Sequence, residues 1–393
     1  MKFTHFMPSR IFFGPGSLDQ LGKVPLPGKK ALIVISAGKS MRQNGYLDRL
    51  IALLRNNGAE AVVFDKIQPN PIKSHVMEAA ALARQNGCDF VIGLGGGSSI
   101  DSAKSIAMMA ANPGDYWDYV GGGSGRGLPV PNGALPIIAI TTTAGTGTEA
   151  DPWTVITKED TNEKIGYGND DTFPFISIVD PQLMRSVPPH LTAYQGMDAF
   201  FHAAEGVIAT CASPMSDLYA LKSIETIARW LPIAVKDGAN EEARAQMAFA
   251  NMLSGFVEST SSCTSEHSLE HALSAYHPEL AHGAGLTILS AAYFGFFLGK
   301  IPGHLYESMA RAMGENVDAL PAGERPAAFI TALKKLIAAC GLDGLKMSDY
   351  GVRREEIPTL ARNARDTMGG LFEVDRYKLS FEDTVTIFEN AFR

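Results

Sequence analysis

The sequence predicts an α/β domain with a parallel sheet over residues 1–187, followed by an all-helical domain over residues 188–393. Three observations carry this prediction. Short apolar runs alternate with amphipathic helical patterns in the first half. Long helical patterns replace them after Val187, where β-rich runs disappear. Pro188-Pro189 separates the two grammars, and consecutive prolines break both helix and sheet.

The strands read in order as Ala31 to Ser36 (ALIVIS), Ala61 to Phe64 (AVVF), Phe90 to Leu94 (FVIGL), Pro136 to Ile140 (PIIAI) and Ile176 to Val179. Helical patterns lie at Gly45 to Asn57 and at Lys73 to Asn86, and another begins near Ser99. Gly121 to Gly127 (GGGSGRG) reads as a flexible loop. Gly285 to Leu298 is the most hydrophobic stretch and reads as a buried core helix, too short to span a bilayer.

Composition narrows the function. With 46% hydrophobic residues and a net charge of −8, the chain can bury large cores and carries no basic run for nucleic acid. Residues 1–13 lack the charged start and apolar run of a signal peptide. Cys88, Cys211, Cys263 and Cys340 are far apart and form no CxxC pair. A reducing, cytoplasmic location is the expectation, with neither a membrane nor a nucleic-acid partner.

Two turns point to a nucleotide. Gly95-Gly96-Gly97-Ser98-Ser99-Ile100-Asp101 follows a strand and opens a helix. Bare backbone amides at a helix start suit a phosphate, although the pattern is not GxGxxG. Thr141-Thr142-Thr143-Ala144-Gly145-Thr146-Gly147-Thr148-Glu149 follows the next strand and offers many hydroxyls. Either turn alone could be serving only its own backbone. Two at the carboxyl edge of one sheet favour a Rossmann-like nucleotide site.

The second half carries a sharper signal. Asp198 and His202 are four apart, as are His267 and His271, so each pair shares a helix face. His277 and His282 follow closely. A carboxylate with several imidazoles is a ligand set for zinc or ferrous iron. The apolar neighbours Leu269, Ala272, Leu273 and Tyr276 argue against a surface histidine patch. HSLEH is not the HExxH motif, and Glu270 reads as structural.

With these residues in view, the chain resembles the iron-containing (group III) alcohol dehydrogenase family over essentially its whole length. Five motifs carry the resemblance in order: QPNP at 68–71, the GGGSSID turn, TTTAGTGTE, GMDAFFHAAE, and HSLEHALSAYH with its later His-Gly pair. The resemblance implies a dinucleotide-binding α/β domain, a helical domain and an active site in the cleft between them, the architecture shared with dehydroquinate synthase. It implies metal ligands at Asp198, His202, His267 and His282, with His271 as the catalytic histidine near substrate and nicotinamide. It implies cofactor contacts from Asn70, Gly96, Gly97, Ser98, Asp101, Thr142, Thr143, Thr146 and Lys164. It also implies a homo-oligomer, a dimer or larger.

The chain departs from the family pattern at Thr141 and Ala272, where relatives often have proline, and in a slightly longer segment between His271 and His282. That length leaves His277 as the rival to His282 for the last ligand position. NAD-selective relatives often carry an Asp where this chain has Gly38-Lys39-Ser40. Gly38 and Ser40 would meet the ribose there, and without the acid NADP is expected to be accepted alongside NAD. The ion is expected to be Fe2+, with Zn2+ the alternative.

The expected reaction is hydride transfer between nicotinamide and a small, weakly polar alcohol or aldehyde. His271 would relay the proton, since imidazoles ordinarily titrate near ~6.5. Met197, Trp153 and Phe200, with Phe201 and Leu273 to Tyr276, suggest an apolar pocket. Two alternatives stand beside this reading. One is a polyol or phosphorylated-polyol dehydrogenase of the glycerol dehydrogenase and dehydroquinate synthase-like group. The other is a non-catalytic nucleotide-binding protein.

Overall fold

The computed structural model describes residues 2–393. The chain forms two compact units. One comprises Met7–Thr143 and Thr148–Ser186; the other comprises the residues through Phe6, Ala144–Gly147 and Val187–Arg393.

The first unit is built on eight strands: β1 (Arg10–Phe13), β2 (Lys30–Ser36), β3 (Glu60–Ile67), β4 (Phe90–Gly95), β5 (Ile137–Thr141), β6 (Thr154–Lys158), β7 (Glu163–Tyr167) and β8 (Ile176–Val179). Its helices are α1 (Ser40–Gln43), α2 (Tyr46–Asn56), α3 (Lys73–Asn86) and α4 (Gly97–Ala111). Six strands form one sheet in the order β1-β8-β5-β4-β2-β3, and all its pairings are parallel. Such a sheet is covered on both faces, which explains the unbroken apolar run Ala31–Ile35, all of it buried. From β2 the chain goes to β3 on one side and to β4 on the other. That reversal of direction opens a crevice at the carboxyl ends of β2 and β4, where open α/β sheets take their ligands.

Sequence patterns missed two features and misjudged a third. β1 is a short edge strand, in a segment that mixes polar and apolar residues. β6 and β7 pair antiparallel as a separate hairpin, whose Thr, Lys and Glu residues mask its alternation. The glycine-rich loop is a correction, because it is tied down rather than flexible. Glu163 accepts from Ser124 N and Oγ and from Trp117 Nε1, the last at 3.2 Å. Gly123 sits so close that a Cβ there would meet Glu163 Oε1 at 2.6 Å.

The second unit holds α5 (Pro189–Ile208), α6 (Pro214–Lys236), α7 (Glu241–Thr260), α8 (Ser265–Tyr276), α9 (His282–Phe297), α10 (Gly303–Ala312), α11 (Ala327–Ala339), α12 (Ile357–Glu373) and α13 (Phe381–Ala391). α5 starts at the second proline of the Pro-Pro pair, where a missing N–H costs nothing. From Gly196 to Ile208 every residue of α5 is buried. A central helix like this carries no amphipathic stripe. α9 is likewise buried, as its composition predicted, and no helix of the described residues is long and apolar enough to cross a membrane. Phe200 stacks on Phe329, with ring centroids 6.2 Å apart, inside this core. Met197 and Leu273 lie in the same core, whereas Trp153 is exposed in the α/β unit. Met197, Phe200 and Leu273 are therefore core side chains of the helical unit rather than the pocket lining suggested by sequence.

The α/β unit also buries a lysine completely. Lys104 Nζ donates to Thr148 Oγ1 (2.6 Å), Asp151 Oδ1 (3.0 Å), Asp151 O (2.9 Å) and Trp153 O (2.7 Å). Burial, with a further push from the Asp151 carboxylate, holds the Asp101 carboxyl up at about 6 against the pull of Lys104, Thr148 and the Val155 amide. Removing the ammonium would strand two buried carboxyls. Lys104→Met is therefore expected to destabilise the unit by about 3–5 kcal/mol. Denaturant unfolding checks this, and a loss within the range of a surface substitution would contradict it.

Candidate metal centre and nucleotide turns

Three helices bring the sequence-predicted ligands together. α5 presents Asp198 and His202 one turn apart, α8 presents His267, and α9 begins at His282. α9 can come this close to α5 because position 283 is glycine: a Cβ there would lie 2.0 Å from Tyr194 O.

Three imidazoles converge on one carboxylate oxygen. Asp198 Oδ1 lies 3.4 Å from His282 Nε2 and 3.7 Å from both His202 Nε2 and His267 Nε2. The side chains of Asp198, His202 and His267 are each 5% exposed. Among the described residues, Asp198 Oδ1 and His267 Nε2 are buried atoms with no hydrogen-bond partner. An orphaned buried polar atom costs about 1–3 kcal/mol, so their convergence requires something to satisfy them. A divalent ion fits. A tetrahedral set with donors at ~2.1 Å has edges of about 3.4 Å, close to the separations seen here. Electrostatics agrees. Burial would raise the Asp198 carboxyl, but the facing imidazoles outweigh it and hold it down at about 2. Burial also lowers His202 to about 4, which keeps its imidazole neutral and able to ligate. His267 is shifted the other way: burial would lower it, but Cys263 and Glu205 hold it well above the ordinary imidazole range, so a cation there would have to displace its proton.

Behind two of the imidazoles a glutamate is hydrogen-bonded: Glu205 meets His267 Nδ1 and Glu270 meets His282 Nδ1, whereas Glu258 Oε1 lies 3.6 Å from His202 Nδ1, beyond hydrogen-bond reach. A carboxylate on the far nitrogen fixes the ring's tautomer and orientation and strengthens it as a ligand. Glu205 is itself held, since its Oε2 accepts from Thr264 N (2.7 Å) and Thr264 Oγ1 (2.8 Å) at the start of α8. Sequence reasoning missed these three placements. Glu205 lies seven residues after Asp198 on α5, a spacing that returns to the same face. Glu258 gives no comparable signal. Glu270, read as structural, backs His282 directly.

The two other histidines of this region separate. His277 Nε2 lies 3.3 Å from Glu356 Oε2 at the end of α8, so His282 is the one beside Asp198. The ring of His271 stands next to the donors, its centroid 5.3 Å from that of His282 and 6.4 Å from that of His267.

The nucleotide turns adjoin in the sheet. Gly95 pairs with Thr141, and Thr142 N donates to Gly95 O at 2.9 Å. Gly95 has φ +152, and a Cβ there would strike Ser99 Oγ at 2.6 Å. Gly96 caps α4, with Gly97 and Ser98 as its first residues, so their amides face the crevice edge. Thr142 and Thr143 stay with the sheet, whereas Thr146 belongs to the helical unit, where Gly147 N donates to Asn251 Oδ1 at 2.9 Å. Lys164 Nζ reaches Asn70 Oδ1 at 3.1 Å, joining two predicted cofactor residues distant in sequence. Asp101 differs in character. Its Oδ1 accepts from Thr148 Oγ1 (2.7 Å) and its Oδ2 from Val155 N (2.9 Å), so its carboxylate ties the two turns together within the unit. Gly38 and Ser40 are exposed beyond the end of β2.

Comparison with known proteins gives a consistent result. Iron-containing alcohol dehydrogenase matches residues 8–181, and the C-terminal domain of the Fe-containing alcohol dehydrogenase family matches residues 192–392. The 1,3-propanediol dehydrogenase of Klebsiella pneumoniae is 33% identical, over 99% of each chain. The structure of an archaeal halo-thermophilic Red Sea brine pool alcohol dehydrogenase superposes with a TM-score of 0.94 at 34% identity, over 100% of this chain and 99% of that one. The sulfoacetaldehyde reductase of Bifidobacterium kashiwanohense, solved in complex with NAD+, superposes with a TM-score of 0.84 at 29% identity, over 100% and 99%.

Glu205→Gln keeps the size of the side chain but removes the negative charge behind His267. It is expected to weaken binding of a divalent ion about 10–100-fold. Competition against a chelator measures this, and unchanged affinity would show that Glu205 serves only the fold.

Proposed function

The chain belongs to the iron-containing alcohol dehydrogenase family and is an NAD-linked alcohol dehydrogenase or aldehyde reductase; from that premise we propose that Asp198, His202, His267 and His282 hold its divalent ion, and that His271 carries the proton of the reaction. The observation behind this is the meeting of three imidazole nitrogens at one buried carboxylate oxygen. When bound, the ion supplies Lewis acidity toward the substrate oxygen, and the nicotinamide supplies or takes up the hydride.

The chain's own residues do the rest. Burial keeps water from competing at Asp198, His202 and His267, and Glu205 and Glu270 hold the rings of His267 and His282 in place. His271 is outside the donor set but beside it, a position suited to passing a proton between the substrate hydroxyl and solvent. Gly96, Gly97 and Ser98 offer amides to the pyrophosphate, and Thr142, Thr143 and Thr146 offer hydroxyls. The ion is Fe2+ or Zn2+, since carboxylate and imidazole suit both. The substrate is a small, weakly polar alcohol or aldehyde, as the small-alcohol relatives suggest. The protein acts in the cytoplasm as a homo-oligomer. Four cysteines that form no disulfide support the location, and the family resemblance supports the assembly.

Two expectations test this reading. His267→Ala should lose both bound metal, by elemental analysis, and turnover. Full activity in a metal-free preparation of that variant would refute the ligand assignment. The exposed stretch Gly38-Lys39-Ser40 has no acid to repel a 2′-phosphate, which supports acceptance of NADP alongside NAD. Lys39→Asp is expected to raise the KM for NADP about tenfold or more and to change that for NAD little, because a like charge near a phosphate costs ~1 kcal/mol or more. Steady-state assays of short aldehydes, diols and phosphorylated aldehydes with each nicotinamide give both values. Clear preference for the phosphorylated substrates would favour the polyol-phosphate alternative.

A further inference from the structure

The four residues assigned to the ion leave one metal-binding group beside them unused. Cys263 lies in the turn between α7 and α8. The next residue, Thr264, is pinned through its amide and its hydroxyl to Glu205 Oε2, which fixes where that turn sits. The thiol is thereby brought to the imidazoles. Cys263 Sγ, one ring nitrogen of His202 and one of His267 all lie within 4.8 Å of one another. The sulfur is in no disulfide, and it lies 3.9 Å from Glu258 Oε2.

Two donor sets therefore overlap. Asp198, His267 and His282 form one, and His202, Cys263 and His267 form the other. In His267 the Nδ1 atom is taken by Glu205, which leaves Nε2. That atom is buried without a hydrogen-bond partner among the described residues, and so is His202 Nδ1. Both side chains are only 5% exposed. Two deeply buried imidazoles with unsatisfied nitrogens thus border the thiol, and such atoms call for a partner. One ion can span the set. With metal–sulfur bonds of ~2.3 Å and metal–nitrogen bonds of ~2.1 Å, sulfur and nitrogen on one ion stand about 3.6–4.4 Å apart, so the three donors need to close by about 1 Å.

We propose that Cys263 gives the centre a second ion position, formed by His202, Cys263 and His267, that takes thiophilic divalent ions such as zinc or cadmium. Thiolate is the donor that selects such ions. Both positions need His267 Nε2, so an ion occupies one or the other. An ion in the second leaves His282 outside its donor set and competes with the ion of the reaction. Burial pushes the Cys263 thiol up, so it is the arriving cation that draws the proton off. The S–H bond breaks as the sulfur–metal bond forms, and the proton passes to the Glu258 carboxylate. This rests on the assignment of Asp198, His202, His267 and His282 to the reaction's ion, and the test separates the two.

Full-length protein stripped of metal is titrated with cadmium alone and, separately, with manganese, which favours oxygen donors over sulfur. Cadmium is expected to give a thiolate-to-metal charge-transfer band in the ultraviolet. Cys263→Ser should abolish the band and weaken cadmium binding about tenfold or more, the least that losing even an outer partner of a ligand costs. Cys263→Ala, which offers no oxygen in place of sulfur, should behave alike. Manganese affinity should be the same in all three proteins. Cadmium bound without the band, or a band unchanged by Cys263→Ser, would overturn the second position and leave the four-residue assignment standing. Loss of manganese affinity in both variants would overturn it too, by showing that Cys263 serves the fold. A wild type that gives the cadmium band but binds no manganese would instead count against the four-residue assignment.

Discussion

The helical unit depends on one arrangement, a buried carboxylate oxygen without a hydrogen-bond partner facing the Nε2 atoms of the buried His202 and His267 and of the part-exposed His282. Polar groups are taken from water at a cost that packing alone does not return. The unit therefore needs something in that space, and the surrounding construction limits what it can be. The far sides of the His267 and His282 rings are committed to glutamates, which leaves their near nitrogens facing Asp198. Gly283 lets α9 approach α5 closely enough to add His282 to the two residues that α5 already carries. A site so deep inside its own unit cannot form before the helices have packed, which couples ion binding to folding.

The α/β unit solves a different problem. Its turns must leave backbone amides and hydroxyls pointing outward while staying in place. It does this from beneath. The buried Lys104 holds Thr148, Asp151 and Trp153, and Asp101 ties α4 to β6. These groups are polar yet wholly internal, and their effect is to hold rigid a turn that would otherwise be a loose run of threonine and glycine. Asp101 lies in a motif that the family resemblance links to the cofactor, and its geometry shows the motif also working inward.

Much of the site was legible because it rests on local periodicity. The spacing of Asp198 and His202, and of His267 and His271, follows from helix geometry alone. Gly95 and the turn after it could be read from the strand that precedes them. The edge strand β1 and the β6–β7 hairpin were not legible, because short polar strands lack the apolar run that marks β2 or β4. The clamp of Glu163 on the glycine-rich loop and the approach of Glu258 to His202 depend on side chains far apart in sequence, which periodicity does not report. Phe200 shows the converse error. An aromatic residue beside a ligand suggests a pocket, yet at helical spacing it pointed into the core against Phe329.

Helix spacing also cannot say why His271 is not a ligand, since it shares a face with His267 just as His202 does with Asp198. Ring separation does not settle it either, because the ring of His271 is 6.4 Å from that of His267 but 5.3 Å from that of His282, as close as His267 itself is. The group behind a ring matters as well, since an imidazole backed by a carboxylate is a better donor to a cation. A ligand should hold its geometry and its charge through turnover, whereas a proton carrier must change charge in every cycle. A permanent negative charge behind the carrier would favour the protonated ring and hinder the step in which it lets go.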